Sequence, residues 1–208
     1  MNAAQPVVHV VDDDVSFLKA VSRLLRAEGF AVQTYSSPTE FLATRASQPP
    51  GCVVVDLQMP GLNGLDLQQE LAKSDDPLPV VFLTGQGDIP TSVRAMRQGA
   101  EDFLTKRAPQ AELLAAVKRA LARDADLRSL RARLRELRAP FETLTPRERE
   151  VLAHVLTGQL NKRIAVDLGI VERSVKRHRT NLMTKLQVQS VAELTHLVHE
   201  AGLKFTLD

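Results

Sequence analysis

Four short apolar runs punctuate the first half of the chain, and each gives way to a residue able to do chemistry. Val7-Val8-His9-Val10-Val11 leads into Asp12-Asp13-Asp14, and Cys52-Val53-Val54-Val55 leads into Asp56. Val80-Val81-Phe82-Leu83 ends at Thr84, and Phe103-Leu104 ends at Thr105-Lys106. Near-continuous apolar runs of this length, separated by helix-like stretches, read as strands of a parallel sheet buried on both faces. Candidate strands cover residues 7–11, 30–35, 52–56, 79–84 and 101–104. Amphipathic stretches lie near 15–28, 38–47, 64–73, 90–98 and 109–122. Five successive βα units predict an α/β, doubly wound, five-stranded parallel sheet with helices on both faces.

The pattern changes after residue 122. Leu127, Leu130, Leu134 and Leu137 recur at three- and four-residue spacings among Arg and Asp, with no Gly or Pro between them. This predicts a helical linker over 123–140, stopped by Pro140. Two heptads leave two readings open, a dimer-forming seam or a helix packed on its own chain. Residues 141–208 then read as all-α. Thr145-Pro146-Arg147-Glu148 combines an N-cap, a first-turn proline and a capping-box Glu. Val151, Leu152, Val155 and Leu156 supply the apolar face of that helix, and Gly158 stops it. Asn161 can cap a second helix through Leu168. After the Gly169 turn, a third helix over 172–186 and a fourth over 190–201 complete a helix-turn-helix outline.

Composition narrows the class. The chain has 208 residues, 44% hydrophobic and 25% charged, with one cysteine. One large or two ordinary domains fit this length. No apolar run approaches the ~20 residues of a membrane span, no secretory signal is evident, and an internal disulfide is excluded. A cytoplasmic protein without membrane partners is expected. Cys52 reads as a small buried core residue. Charge is uneven: residues 1–122 carry 11 Lys/Arg against 14 Asp/Glu, residues 123–140 carry 6 against 3, and residues 141–208 carry 10 against 8. An acidic front and a basic rear suggest a cation-binding half and a polyanion-binding half.

Open parallel sheets place their ligand sites at the carboxyl ends of the strands, so three carboxylates, a hydroxyl and an ammonium should meet there. Clustered carboxylates stay ionised only with compensation, and Mg²⁺ is a natural partner for oxygen ligands. An Asp can also attack a phosphoryl group to give an acyl phosphate. The residues Asp12-Asp13-Asp14, Asp56-Leu57-Gln58-Met59-Pro60-Gly61 with Gly64, Thr84-Gly85 and Phe103-Leu104-Thr105-Lys106 together resemble the receiver domain of two-component response regulators, a CheY-like (flavodoxin-like) fold. The stretch 84–90 with Val93-Arg94-Ala95-Met96 resembles the FixJ-type subgroup. The resemblance covers residues 5–122. It implies that Asp56 accepts phosphate from a histidine kinase. It further implies that Asp13, Asp56 and the Gln58 backbone carbonyl ligate Mg²⁺ (or Mn²⁺) directly, and that Asp12 acts mostly through water. Thr84 and Lys106 would bind phosphoryl oxygens, and the side chains of Gln58 and Gln86 would tune phosphoryl lifetime. Phe103 falls at the aromatic switch position, although an ordinary strand-end core Phe is the alternative. Asp14 reads as a helix N-cap. In the family a proline follows the lysine through a cis bond, whereas here Arg107 follows. A cis bond before a non-proline residue costs ~3–4 kcal/mol, so the loop either retains that strain or runs trans, which would shift the neighbouring helix–strand face.

Arg173, Lys176, Arg177, Arg179 and Lys185 crowd one predicted helix. Such a helix neutralises phosphates and fits the major groove of B-DNA. The segments Leu144–Leu152, Gly158 to Ile170 and Val175 to Leu186 resemble the LuxR/NarL-type helix-turn-helix domain over 141–205. Carried across, Lys176, Arg177 and Thr180 would face base edges, and Lys162, Arg173, Arg179 and Asn181 would meet phosphates. Val171 stands where the family commonly has a capping Ser. His196 and His199 lack further metal ligands, so zinc is not expected there.

The sequence is thus identified as a member of the FixJ/NarL-type response regulators, in which phosphorylation controls binding to promoter DNA. A sensor histidine kinase, double-stranded DNA and a second copy are the expected partners, with RNA polymerase a further candidate. No enzyme activity is expected beyond the receiver's own phosphorylation and dephosphorylation. A constitutive regulator with an inactive receiver is the alternative. A phosphohydrolase is disfavoured because position 58, where a second acid would stand, is Gln.

Overall fold

A computed structural model describes residues 5–44, 49–74, 76–85 and 89–205. The chain divides into two compact units, Met1–Arg128 and Ser129–Asp208.

In the first unit, strands β1 (Val7–Val11), β2 (Ala31–Tyr35), β3 (Gly51–Val55), β4 (Val80–Thr84) and β5 (Asp102–Thr105) alternate with α1 (Val15–Ala27), α2 (Pro38–Ala43), α3 (Gly64–Ala72), α4 (Ile89–Arg97) and the first part of α5 (Gln110–Glu142). The strands form one parallel sheet in the order β2-β1-β3-β4-β5. Alternate strand residues feed two cores. Val11, Val53, Val55 and Phe82 pack with Phe41, Leu67 and Leu71 of α2 and α3. On the opposite face Val8, Val10, Val54 and Val81 pack with Leu18, Val21 and Leu25 of α1 and Leu113 and Val117 of α5. The central strands β1, β3 and β4 are buried along their whole length, which is why they read as unbroken apolar runs. Asp14 caps α1 through Ser16 N and Phe17 N, and Asn63 and Asp66 close a capping box on α3.

Two contacts fix the sheet's amino edge. A Cβ on Gly51 would fall 1.8 Å from the Val7 carbonyl oxygen, so only glycine lets β3 enter beside β1 there. The Gly51 N–H donates to Asp124 Oδ2 at 2.9 Å. Arg128 donates to the same oxygen at 2.8 Å and reaches Asp76 at 2.9 Å. Asp124 is 2% exposed, so the first turns of the expected linker belong to the sheet's own packing.

Residues 123–140 form no separate element: they continue α5, which runs past Pro140 to Glu142. Pro140 removes the N–H that would donate to the Glu136 carbonyl four residues back, yet the helix runs two residues past it before it ends. The Pro140 carbonyl accepts from Thr143 N and Oγ1 as the helix ends. Leu137 packs in the second unit's core, whereas Leu130 is 54% exposed.

The second unit adds α6 (Pro146–Leu156), α7 (Asn161–Asp167), α8 (Glu172–Lys185) and α9 (Val191–Glu200). Leu152, Ile164, Val175, Leu182 and Leu194 form its core. The Thr145–Glu148 capping box on α6 is present. Asn161, by contrast, does not cap α7. It is the first helical residue, Leu160 takes the cap position, and no side chain caps the helix. Val171 likewise leaves α8 without a side-chain cap. Among the described residues no helix is long and apolar enough to cross a membrane.

Candidate functional site

Asp12 and Asp13 follow β1, Asp56 follows β3, Thr84 ends β4 and Lys106 follows β5, so all five gather at the carboxyl edge. One carboxylate oxygen from each of Asp12, Asp13 and Asp56 lies within 4.8 Å of the other two. Asp12 and Asp56 are 1% and 7% exposed, whereas Asp13 is open to solvent. Lys106 Nζ lies 2.6 Å from Asp12 Oδ2 and 2.8 Å from Asp56 Oδ2, and 4.4 Å from the centroid of the Phe17 ring. Burial pushes the Asp12 carboxyl above its ordinary value, and the neighbouring Asp56 adds to this. Hydrogen bonds from Lys106 and the Asp14 N–H oppose the rise without cancelling it. Burial acts on Lys106 in the opposite sense, but Asp12 and Asp56 outweigh it and raise the ammonium pKa.

The donor set suits a small hard cation. Mg²⁺ takes oxygens at about 2.0–2.1 Å, which places adjacent ligands of an octahedron about 2.9 Å apart and opposite ones about 4.1 Å apart, both inside the 4.8 Å that encloses these three carboxylate oxygens. Two are buried and one is open, so a cation could keep water ligands on its outer side. Two backbone details hold the cluster. Gly64 N donates to Leu57 O at 3.0 Å, and a Cβ on Gly64 would lie 2.3 Å from the Asp56 carbonyl oxygen. Lys106 N donates to Thr84 O at 2.7 Å, which ties the ends of β4 and β5 together.

Gln58 is exposed, and its N–H approaches Asp56 Oδ1 at 3.4 Å. Phe103 is partly buried, its ring 5.8 Å from that of Phe82 and tilted by 34°. Arg107 is exposed, and the described peptide bonds are all trans, so the loop after Lys106 adopts the trans alternative. Gln86 lies outside the described residues.

The second unit presents the basic helix. Arg173, Lys176, Arg177, Thr180 and Asn181 of α8 are exposed, as is Lys162 of α7. Lys176 pairs with Glu172 at 3.0 Å. Lys185 behaves differently: its Nζ donates to Glu148 Oε2 at 2.7 Å and to Thr143 O at 3.1 Å, which ties α8 to the start of α6. Arg179 is half-buried and donates from Nη1 to Asn161 Oδ1 at 3.0 Å. Sequence reading missed the Glu148–Lys185 and Asn161–Arg179 pairs, since neither spacing follows a helical period.

Comparison with known proteins joins the two halves. Residues 8–118 match the response regulator receiver domain family, and residues 142–198 match the bacterial regulatory proteins of the luxR family. The response regulator protein TmoT of Ectopseudomonas mendocina is 41% identical over 95% of this chain and 90% of its own. The chain belongs to the FixJ-type response regulators. The transcriptional regulatory protein FixJ of Azorhizobium caulinodans is 39% identical over 94% of this chain and 93% of its own. A solved structure of the response regulator StyR, 45% identical, covers 95% of this chain and 100% of that one with a TM-score of 0.76. This response regulator is therefore a CheY-like receiver followed by a LuxR-type helical DNA-binding domain. It is a transcription regulator of a two-component system, activated by phosphorylation.

Proposed function

We propose that Asp56 is the phosphoacceptor, with residues 5–122 and the first turns of the 123–140 segment as receiver, the rest of that segment as linker and 141–208 as DNA-binding domain. The observation that carries this reading is the cluster itself: three carboxylates within 4.8 Å, with Lys106 bridging the two buried ones. An Asp56 carboxylate oxygen attacks the phosphorus of a kinase phosphohistidine. The new P–O bond gives an acyl phosphate, the P–N bond breaks, and the imidazole leaves with the electron pair. Asp12, Asp13, Asp56 and the Gln58 backbone carbonyl would hold Mg²⁺ (or Mn²⁺), which when bound offsets charge on the phosphoryl oxygens. Lys106 exchanges its carboxylate partner for a phosphoryl oxygen, Thr84 donates to another, and Phe103 shifts with β5.

The signal leaves through α4 and β5. Ile89, Val93 and Met96 make an i, i+4, i+7 stripe on α4, with Ile89 79% exposed, an apolar face suited to a second copy once phosphorylation reshapes it. A dimer presents two α8 helices to successive major-groove half-sites. Lys176, Arg177 and Thr180 read base edges, while Lys162, Arg173, Arg179 and Asn181 hold phosphates. Bound at a promoter in the cytoplasm, such a dimer is placed to meet RNA polymerase. The test is labelling by radioactive acetyl phosphate in Mg²⁺. The native protein takes up label that chelation abolishes, and Asp56→Asn takes up none. Undiminished labelling of that variant would move the acceptor elsewhere.

A further inference from the structure

Among the described residues of the second unit, several cations spend their charge on a carboxylate of the same unit. Lys176 pairs with Glu172, Arg163 with Asp167 and Lys185 with Glu148. Arg179 differs: half-buried on α8, it forms no ion pair among the described residues, and its partner is the neutral amide of Asn161. Arginine has donors only, so the Asn161 atom that faces it must be the oxygen. The amide thus fixes one guanidinium N–H without neutralising the charge. It also leaves the Nδ2 donors of Asn161 without a protein acceptor among the described residues.

Both side chains border an open groove of about 780 Å³. Lys176, Thr180, Thr184 and Gln187 line it as well, and no carboxylate does. Arg179, Lys176 (shared with Glu172), two hydroxyls and several amides face this space beside the apolar Met183 and Val188, a lining in which the unneutralised Arg179 can meet an anion. Thr180 and Lys176 belong to the same face of α8 that reads DNA, so the anion in reach is a phosphodiester of the bound duplex.

We infer that Asn161 is a positioning residue that sets the Arg179 guanidinium against a backbone phosphate of DNA. The inference rests on the reading of Arg179 as a phosphate contact and adds its cause. A free arginine loses rotamer freedom when it engages a phosphate, and one already held by a neutral acceptor loses less. The helix-turn-helix therefore carries a phosphate clasp assembled from both of its helices before DNA arrives.

Fluorescence anisotropy of the full-length protein on a mixed-sequence DNA duplex, titrated between roughly 50 and 200 mM salt, tests this. Arg179→Ala should weaken binding about tenfold and flatten the slope of log affinity against log salt by about 0.9, one phosphate contact. Asn161→Ala should weaken binding about three- to tenfold and add nothing further in an Asn161→Ala/Arg179→Ala double variant. Asn161→Asp is the decisive variant. It holds Arg179 at least as firmly, with an unchanged or higher melting temperature, yet it neutralises the guanidinium and repels the phosphate, so it should bind DNA less tightly than Asn161→Ala. Wild-type affinity for Arg179→Ala would overturn the phosphate reading of Arg179. An effect of Arg179→Ala beside wild-type binding by Asn161→Asp, or additive losses in the double variant, would overturn the positioning role of Asn161 alone.

Discussion

Lys106 shows how one side chain settles the chemistry of its surroundings. Two buried carboxylates would repel each other, and the ammonium between them, 2.6 and 2.8 Å away, makes their burial tolerable. The opposite case is Cys52, whose neighbours offer no help to an anion. Burial, reinforced by Asp124 and Glu101, pushes its thiol up to about 12. Because the thiolate is the reactive form, the folded protein should resist Ellman's reagent, and unfolding in guanidinium should release one reactive thiol. Rapid labelling without denaturant would contradict this burial. Glu148 supplies a pH signature. Burial pushes its carboxyl up, but the Lys185 ammonium and the backbone and hydroxyl donors of Thr145 hold it below the usual carboxylate range. A group whose pKa is depressed by folding stabilises the native state above its unfolded value, about 4.3 for Glu. That contribution fades as pH falls through the lower folded value. Glu148→Gln should therefore melt at lower temperature than wild type near neutrality, and the gap should narrow as pH drops below about 4. A gap that is constant with pH would mean that the charge of Glu148 is immaterial.

At the scale of elements, the strands were legible because β1, β3 and β4 are buried on both faces, which demands valine-rich runs whatever the loops do. The caps at Asp14 and Thr145 were legible because a cap and its helix are contiguous. Asn161 was misread for the same local reason: it has a cap's chemistry at a helix start, yet its oxygen serves Arg179, 18 residues away. The five residues of the acidic site were legible because each lies at or just past the end of a strand. Phe17 was not, since nothing in an amphipathic helix marks which ring will meet Lys106. The bare start of α8 gives a test at this scale. Val171 has extended backbone geometry and no side-chain hydrogen bond to the helix, so Val171→Ser should supply the missing acceptor. It should raise stability by about 1 kcal/mol, seen as a higher melting temperature with unchanged helical circular dichroism. A lower melting temperature would show that the valine contributes packing that the cap cannot replace.

For the whole molecule, two units share one chain and a single long helix contributes to both. The acidic unit receives the phosphate and the basic unit meets DNA, a division already visible in the uneven charge along the sequence. Sedimentation velocity tests the proposed link between them. A phosphodonor with Mg²⁺ should convert monomer to dimer in the native protein, and neither Asp56→Asn nor an Ile89→Asp variant of the apolar α4 stripe should respond. A mass unaffected by the donor would discard dimerisation as the route to DNA. The reach of α5 was the least legible feature, since its arginines and regularly spaced leucines read as a connector. Asp124, hidden among them, closes onto an amide 73 residues earlier in the chain. It follows that the receiver does not finish where its last strand–helix repeat does. A fragment cut at residue 122 would discard the carboxylate that fastens the floor of the sheet, so its instability would be an artefact of the scissors and no property of the receiver.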